Sequence, residues 1–175
     1  LAIAGVFLAG VVVTALALPI QQKIPGLLEG SASNPTFLIL IFWALAEEVA
    51  KYIAAAYVAL TSDYFDEPVD AMIYMLTAAL GFAALENSLF LYQAFHTGGA
   101  LKTFITSNNR FLGASLLHIV ASVITGGALA LGFYKKPMIR TLYTVLGLIT
   151  ASVLHALFNF FIIRETSGDT LSVLF

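Results

Sequence analysis

Five long apolar stretches run through this 175-residue chain, and four of them carry Glu47, Glu48, Lys51, Glu86, His118 and His155 in their interiors. An ionisable side chain at the centre of a membrane helix costs roughly 2.5–3.5 kcal/mol on insertion scales, so six amount to on the order of 15 kcal/mol unless they satisfy one another. The chain therefore has to fold so that these side chains meet in one polar site. Composition supports a membrane setting. Hydrophobic residues make up 60% of the chain and charged residues 10%, with a mean hydropathy of +0.95, more than a soluble domain of this length can bury.

The expected fold class is all-α, a polytopic membrane helix bundle of about five transmembrane helices forming a single domain over residues 1–175. Each span needs about 20 mainly apolar residues, and membrane-crossing strands would be shorter and alternate in polarity. The spans are expected at about 1–18, 36–60, 69–95, 111–134 and 141–163. The first lacks a basic leading region and reads as a true span, with further residues expected upstream, and not as a signal peptide. Pro19 to Pro35 reads as a connector, since Pro25, Gly26, Gly30 and Asn34 are turn and breaker residues. The polar stretch from His96 to Arg110 reads as a second connector. The acidic loop around Asp63, Asp66, Glu67 and Asp70 marks a span boundary. Lys23, Lys102, Arg110 and Arg164 fall on one side of the membrane and Lys135, Lys136 and Arg140 on the other, which leaves orientation open.

Depth is more informative than orientation. Glu47 and Glu48 lie near the middle of the second span and Glu86 a few residues past the middle of the third. His118 lies shortly before the middle of the fourth, and His155 shortly after that of the fifth. Because the spans alternate in direction, these offsets all point the same way, each by about 5 Å or less at a rise of 1.5 Å per residue. The residues share one layer. Lys51 follows Glu47 by four residues and Glu48 by three, so it can pair with either, with Glu48 favoured. His155 and Asn159, four apart, share a helix face. Glu86-Asn87 adds a third carboxylate with an amide beside it.

Such a set holds a general base, a lysine that keeps one carboxylate ionised, imidazoles, and an amide able to donate to an oxyanion. Each piece also has a structural reading. Glu47, Glu48 and Lys51 can form a packing ion pair, His155 and Asn159 an interhelical hydrogen bond, and His118 can be a satisfied core histidine. Gly81, Ala83 and Ala84 before Glu86 suggest close helix packing around a buried carboxylate. Trp43 reads as a lipid or interface contact, and Ser115 and Ser122 as helix-contact serines. His96 reads as a solvated loop residue.

Several function classes are excluded. The net charge of −2 provides no basic face for nucleic acid, and the absence of cysteine removes disulfides, thiolate ligands and a cysteine nucleophile. The chain has no His-Glu-x-x-His, no Gly-x-Gly-Asp and no Gly-x-Ser-x-Gly. A proton- or metal-ion-coupled transporter is the rival class, although paired repeats and Gly/Pro-broken helices at mid-depth are not evident. A catalytically silent scaffold is a third reading.

In order along the chain stand Glu47-Glu48-Val49-Ala50-Lys51, Glu67-Pro68-Val69-Asp70 followed by Gly81-Phe82-Ala83-Ala84-Leu85-Glu86-Asn87, His118, and His155-x-x-x-Asn159. This pattern, over about Thr36 to Ile163, resembles the PrsW family of intramembrane proteases, distant relatives of the CAAX-prenyl-protease and bacteriocin-immunity membrane proteins. Asp70 is followed by Ala71 where the family often has Gly.

The resemblance implies hydrolysis of a peptide bond of a membrane-anchored protein, such as an anti-sigma factor, by an integral protein of a prokaryotic plasma membrane. It implies that Glu47 or Glu48 is the base, that His118 helps hold the water, and that His155 with Asn159 forms the oxyanion side. Glu86 is an additional carboxylate, with Lys51 and Asn87 supporting. Glu47, Glu86, His118 and His155 also suit a divalent metal such as zinc, whose bound water has a pKa near 7. Metal-bound and metal-free water activation both stand open at this level.

Overall fold

The computed structural model describes residues 2–28 and 35–166, and among them every regular element is helical. Five α-helices follow one another: α1 (Ala2–Leu27), α2 (Phe37–Ala55), α3 (Pro68–Leu112), α4 (Ala114–Gly132) and α5 (Pro137–Thr166). Four of them, α1, α3, α4 and α5, are long and apolar enough to cross a membrane. The exception is α2, which carries Glu47, Glu48 and Lys51 within its 19 residues and continues through Ala56–Leu60 as a π-helical turn. Thr36 starts α2 by accepting from the Ile39 backbone N–H at 3.4 Å. At the start of α3, Asp70 accepts from the Glu67 backbone N–H at 2.9 Å, so this residue of the acidic loop ties down the first turn.

Two expected connectors are helical over much of their described length; residues 29–34 of the first, with Gly30 and Asn34, lie outside the described residues. Pro19 and Pro25 both lie inside α1, which runs on to Leu27. Pro25 has no N–H to offer the carbonyl four residues earlier, that of Gln21, and this carbonyl instead accepts from the Trp43 indole N–H at 2.8 Å. A neighbouring helix thus supplies the missing donor, which is how membrane helices tolerate proline. Trp43 is correspondingly half-buried and hydrogen-bonded, more than a lipid contact. The second correction concerns the stretch from His96 to Arg110. It is the continuation of α3, bent at Gly99, where φ is 67°. That left-handed conformation is open to glycine without steric cost, and it ends one helical run and starts another that leads back toward α4. His96 is exposed on a helix, not on a loop.

Packing closes a ring in the order α1, α3, α4, α5, α2 and back to α1. Small residues set its tight crossings. A side-chain carbon added at Gly81 would meet the Phe7 carbonyl, and one at Gly10 would meet that of Ala78, so α1 and α3 touch backbone to backbone. A side-chain carbon added at Gly126 would lie 2.7 Å from the Met72 Cα, so α4 approaches α3 as closely. Ala83, two residues after Gly81, is buried, whereas Ala84 faces outward.

Inside the ring the buried residues form layers along α2. Leu40 and Ala44 join Ala156 in one apolar cluster. Ala54, Ala55 and Ala59 join Val6, Met75, Ala78 and Leu129 in another. Between the two, Glu47, Glu48 and Lys51 are buried. Outward-facing Leu8, Val12 and Leu16 on α1, and Val145, Ile149 and Val153 on α5, present apolar surface all along the bundle.

Candidate active site

The buried layer of α2 faces one polar side chain after another from the other helices. Glu48 is fully buried and pairs with Lys51 Nζ at 2.6 Å, one turn along the same helix. The same carboxylate oxygen, Oε1, lies 2.8 Å from His155 Nδ1 on α5. The expected partner of Lys51 is therefore the observed one, but Glu48 turns toward an imidazole as well as toward the ammonium. Lys51 Nζ also lies 2.8 Å from His118 Nδ1 on α4, and it stands 5.1 Å from the centre of the Phe82 ring. His118 Nε2 lies 3.0 Å from Glu86 Oε2 on α3. The two imidazole rings meet edge to face at 5.2 Å.

These contacts fix the proton on each ring. An ammonium only donates, so His118 Nδ1 accepts from Lys51 and its Nε2–H points to Glu86. His155 Nδ1 donates to the Glu48 carboxylate, a tautomer that leaves the ring's lone pair on Nε2. That lone pair faces Glu47 Oε2 at 3.5 Å, and His118 Nδ1 faces the same oxygen at 3.9 Å. Glu47 Oε2 is buried and has no hydrogen-bond partner among the described residues, while Glu47 Oε1 accepts from Gln21 Nε2 at 2.6 Å. One carboxylate oxygen and two imidazole nitrogens therefore converge; the His155 nitrogen is open, and the His118 nitrogen is held by Lys51.

Glu47, His118 and His155 each offer a ligand atom, and these atoms lie within 4.8 Å of one another. The whole chain, residues 1–175, matches the family described as PrsW family intramembrane metalloprotease. The chain belongs to the PrsW family. Among curated relatives, the Protease PrsW of Geobacillus kaustophilus is 38% identical over 63 residues, covering 36% of this chain and 28% of that protein. The Protease PrsW of Oceanobacillus iheyensis is 29% identical over 128 residues, covering 73% and 55%. That of Bacillus subtilis is 27% identical over 132 residues, covering 75% and 57%. Where the match is long, this PrsW-family chain spans little more than half the length of the relative. No solved structure matches it. With the apolar helices, family membership makes this an integral membrane protein.

The donor types and spacing fit the metal that the family description implies, provided that Lys51 gives up His118 Nδ1, which it contacts at 2.8 Å. A tetrahedral zinc with ligand bonds of about 2.1 Å sets its ligand atoms about 3.4 Å apart; the separations of Glu47 Oε2 from the two ring nitrogens are 3.5 and 3.9 Å. Each imidazole has its outer N–H tied to a carboxylate, Glu48 for His155 and Glu86 for His118. That is the usual support of a metal-binding histidine. Glu86, expected among the ligands, stands one step outside this group, against the far nitrogen of His118. Asn159 lies one turn beyond His155, half-buried, and makes no side-chain hydrogen bond among the described residues. Asn87 donates to Ser115 Oγ at 3.0 Å, so Ser115 serves packing as expected.

Two contributors were not legible as site residues. Gln21 lay in an expected connector, yet it holds Glu47. Arg110 lay at the edge of an expected span, where arginine ordinarily anchors at the interface, yet it is buried and pairs with Glu86 Oε2 at 2.6 Å. Charge balance carried a signal for it, because Glu47, Glu48 and Glu86 have only Lys51 as a cation inside the expected spans.

Proposed function

We propose that this chain is the catalytic core of an intramembrane metallopeptidase that cleaves a membrane-anchored protein, with Glu47, His118 and His155 as the residues that hold a divalent ion. The observation that carries this reading is the buried Glu47 Oε2, without a partner among the described residues, between His155 Nε2 and His118 Nδ1; to hold an ion there, His118 Nδ1 exchanges its contact with Lys51 for the metal. When bound, the ion supplies a water that ionises near neutral pH and polarises the scissile carbonyl. The chain's own residues do the rest. Glu48 and Glu86 hold the imidazoles with their lone pairs turned inward, and Lys51 keeps Glu48 ionised. Glu47, which would hold the ion through Oε2, takes the proton on the remaining lone pair of Oε1 as water attacks the carbonyl carbon and returns it to the departing amine. Gln21, bonded to Oε1, keeps Oε2 facing the imidazoles. Asn159, on the His155 face of α5, donates to the oxyanion.

Glu48 is set apart from the base role by its Oε1, which serves both Lys51 and His155, although its buried Oε2, like that of Glu47, has no partner among the described residues. A membrane-anchored anti-sigma factor is a substrate of the right class, and the plasma membrane of a prokaryote the fitting location. The test is cleavage of a membrane-anchored peptide by the protein reconstituted in liposomes. Cleavage by the parent and none by Glu47→Gln, inserted to the same level, is the expected result. An intact peptide together with proton or metal-ion flux across the sealed bilayer would replace this reading by that of a transporter.

A further inference from the structure

Arg110 is the second cation of the buried layer, and its surroundings are those of a clamp. Its Nη2 donates to Glu86 Oε2 at 2.6 Å, its Nε donates to Asn87 Oδ1 at 2.7 Å, and its guanidinium carbon lies 3.7 Å from the centre of the Phe90 ring. The side chain is 4% exposed. Three residues within about one turn of α3 thus hold one planar group by charge, hydrogen bond and stacking. Asn87 is fixed in turn by Ser115. The oxygen that Arg110 grips is the one that receives the His118 Nε2–H.

We propose that Arg110 is a positioning residue: bonded to Glu86 and Asn87, it holds the Glu86 carboxylate against His118 Nε2 and so keeps the ring in the orientation in which Nδ1 stands beside Lys51 and Glu47, an orientation the ring leaves part of the time once Nε2 is released. Its bearing on catalysis rests on the reading of Glu47, His118 and His155 as the reacting group. The physical reason lies in the geometry of the donors. A carboxylate in a half-open position, 15% exposed, has many ways to point, and one donor in line with the ring would leave it free to swing. A guanidinium presents Nε and Nη2 in a rigid fork, so satisfying Asn87 with one fixes where the other holds Glu86. A lysine carries the same charge as a single point and fixes no such direction. Gly99 and the returning part of α3 bring Arg110 back to this place, 24 residues along the chain from Glu86.

The experiment uses metal-stripped protein in nanodiscs with 15N-labelled histidine. The chain has three histidines, and His96→Gln and His155→Gln assign the signals. In the parent, His118 should occupy the single tautomer with the hydrogen on Nε2. In Arg110→Gln and Arg110→Lys the Nδ1–H tautomer should appear as well. Zinc affinity should fall roughly 10- to 100-fold, as when an outer partner of a ligand is lost, and kcat should fall with KM within about threefold. Arg110→Lys should keep the thermal midpoint closer to the parent than Arg110→Gln does without restoring the tautomer. Should either Arg110 variant fail to insert, Asn87→Ala removes the Nε anchor without stranding a charge and should produce the same changes in weaker form. Parent-like tautomer and zinc affinity in the variants that insert would overturn the inference even if cleavage dropped. A parent that binds no zinc and cleaves nothing, but whose tautomer shifts in the variants, would refute the proposed function and leave the positioning role standing.

Discussion

Two arms reach into the same polar layer from opposite sides. On one, Glu48 of α2 receives the His155 N–H of α5, with Lys51 behind the carboxylate; on the other, Glu86 of α3 receives the His118 N–H of α4, with Arg110 behind it. The chemical device is the same: a cation keeps a carboxylate ionised, and the carboxylate fixes a ring. The surroundings differ. Glu48 and Lys51 are both 0% exposed, whereas Glu86 is 15% exposed. Breaking a buried pair leaves an uncompensated charge and costs roughly 3–5 kcal/mol, while a pair in reach of water loses less. The first arm is therefore part of what holds the bundle together, and the second is where orientation is adjustable.

Glu47 joins the arms, and its replacement should have the largest effect. Glu47→Gln should lower cleavage roughly 10²–10⁴-fold, the scale of a lost general base, with insertion unchanged, as single-turnover cleavage and protease protection would record. A residual rate within threefold of the parent would separate the arms from the chemistry. Asn159 belongs to the His155 arm alone. Asn159→Ala should cost up to roughly 10²–10³ in rate, the range for one oxyanion donor, without altering zinc affinity; a drop in affinity instead would make Asn159 a structural partner.

The carboxylates behind the rings sharpen the contrast further. Glu48→Gln and Glu86→Gln should each weaken metal binding roughly 10- to 100-fold, but thermal unfolding should separate them, because only the first strands a fully buried lysine. Equal losses of thermal midpoint would mean that the two arms are equally structural. The smallest effect should come from Trp43→Phe, which removes the donor to the Gln21 carbonyl. It should cost roughly 0.5–1.5 kcal/mol of stability, the net worth of one hydrogen bond, with a minor fall in cleavage through Gln21. Denaturant unfolding checks it.

Much of the site was written into the sequence because lipid makes ionisable residues expensive. The Glu-Glu-x-x-Lys and His-x-x-x-Asn spacings placed their members on shared helix faces, and alternating span direction put Glu86 and His118 at their depth. What stayed hidden depended on context that spacing does not carry. Pro25 marks a break by the rules of local structure, and only the donor reaching across from Trp43 shows why α1 continues to bring Gln21 to Glu47. Arg110 looked like an interface anchor because its burial is created by the bend at Gly99, a long-range consequence of one residue's backbone. Glu86, expected among the possible ligands, lies at the right depth, but its Oε2 is engaged by Arg110 and by the outer face of His118.

The central claim is that both arms serve one metal-dependent hydrolytic group. Its most direct test is cleavage of a membrane-anchored peptide by the reconstituted protein, followed through chelation and the return of zinc while thermal unfolding is monitored on the same samples. An ion held by Glu47, His118 and His155 would link α2, α4 and α5, so chelation should stop cleavage and lower the unfolding midpoint together, and zinc should restore both. Cleavage and midpoint both indifferent to the chelator, with Glu47→Gln still inactive, would contradict the metal and leave Glu47 acting on water by itself.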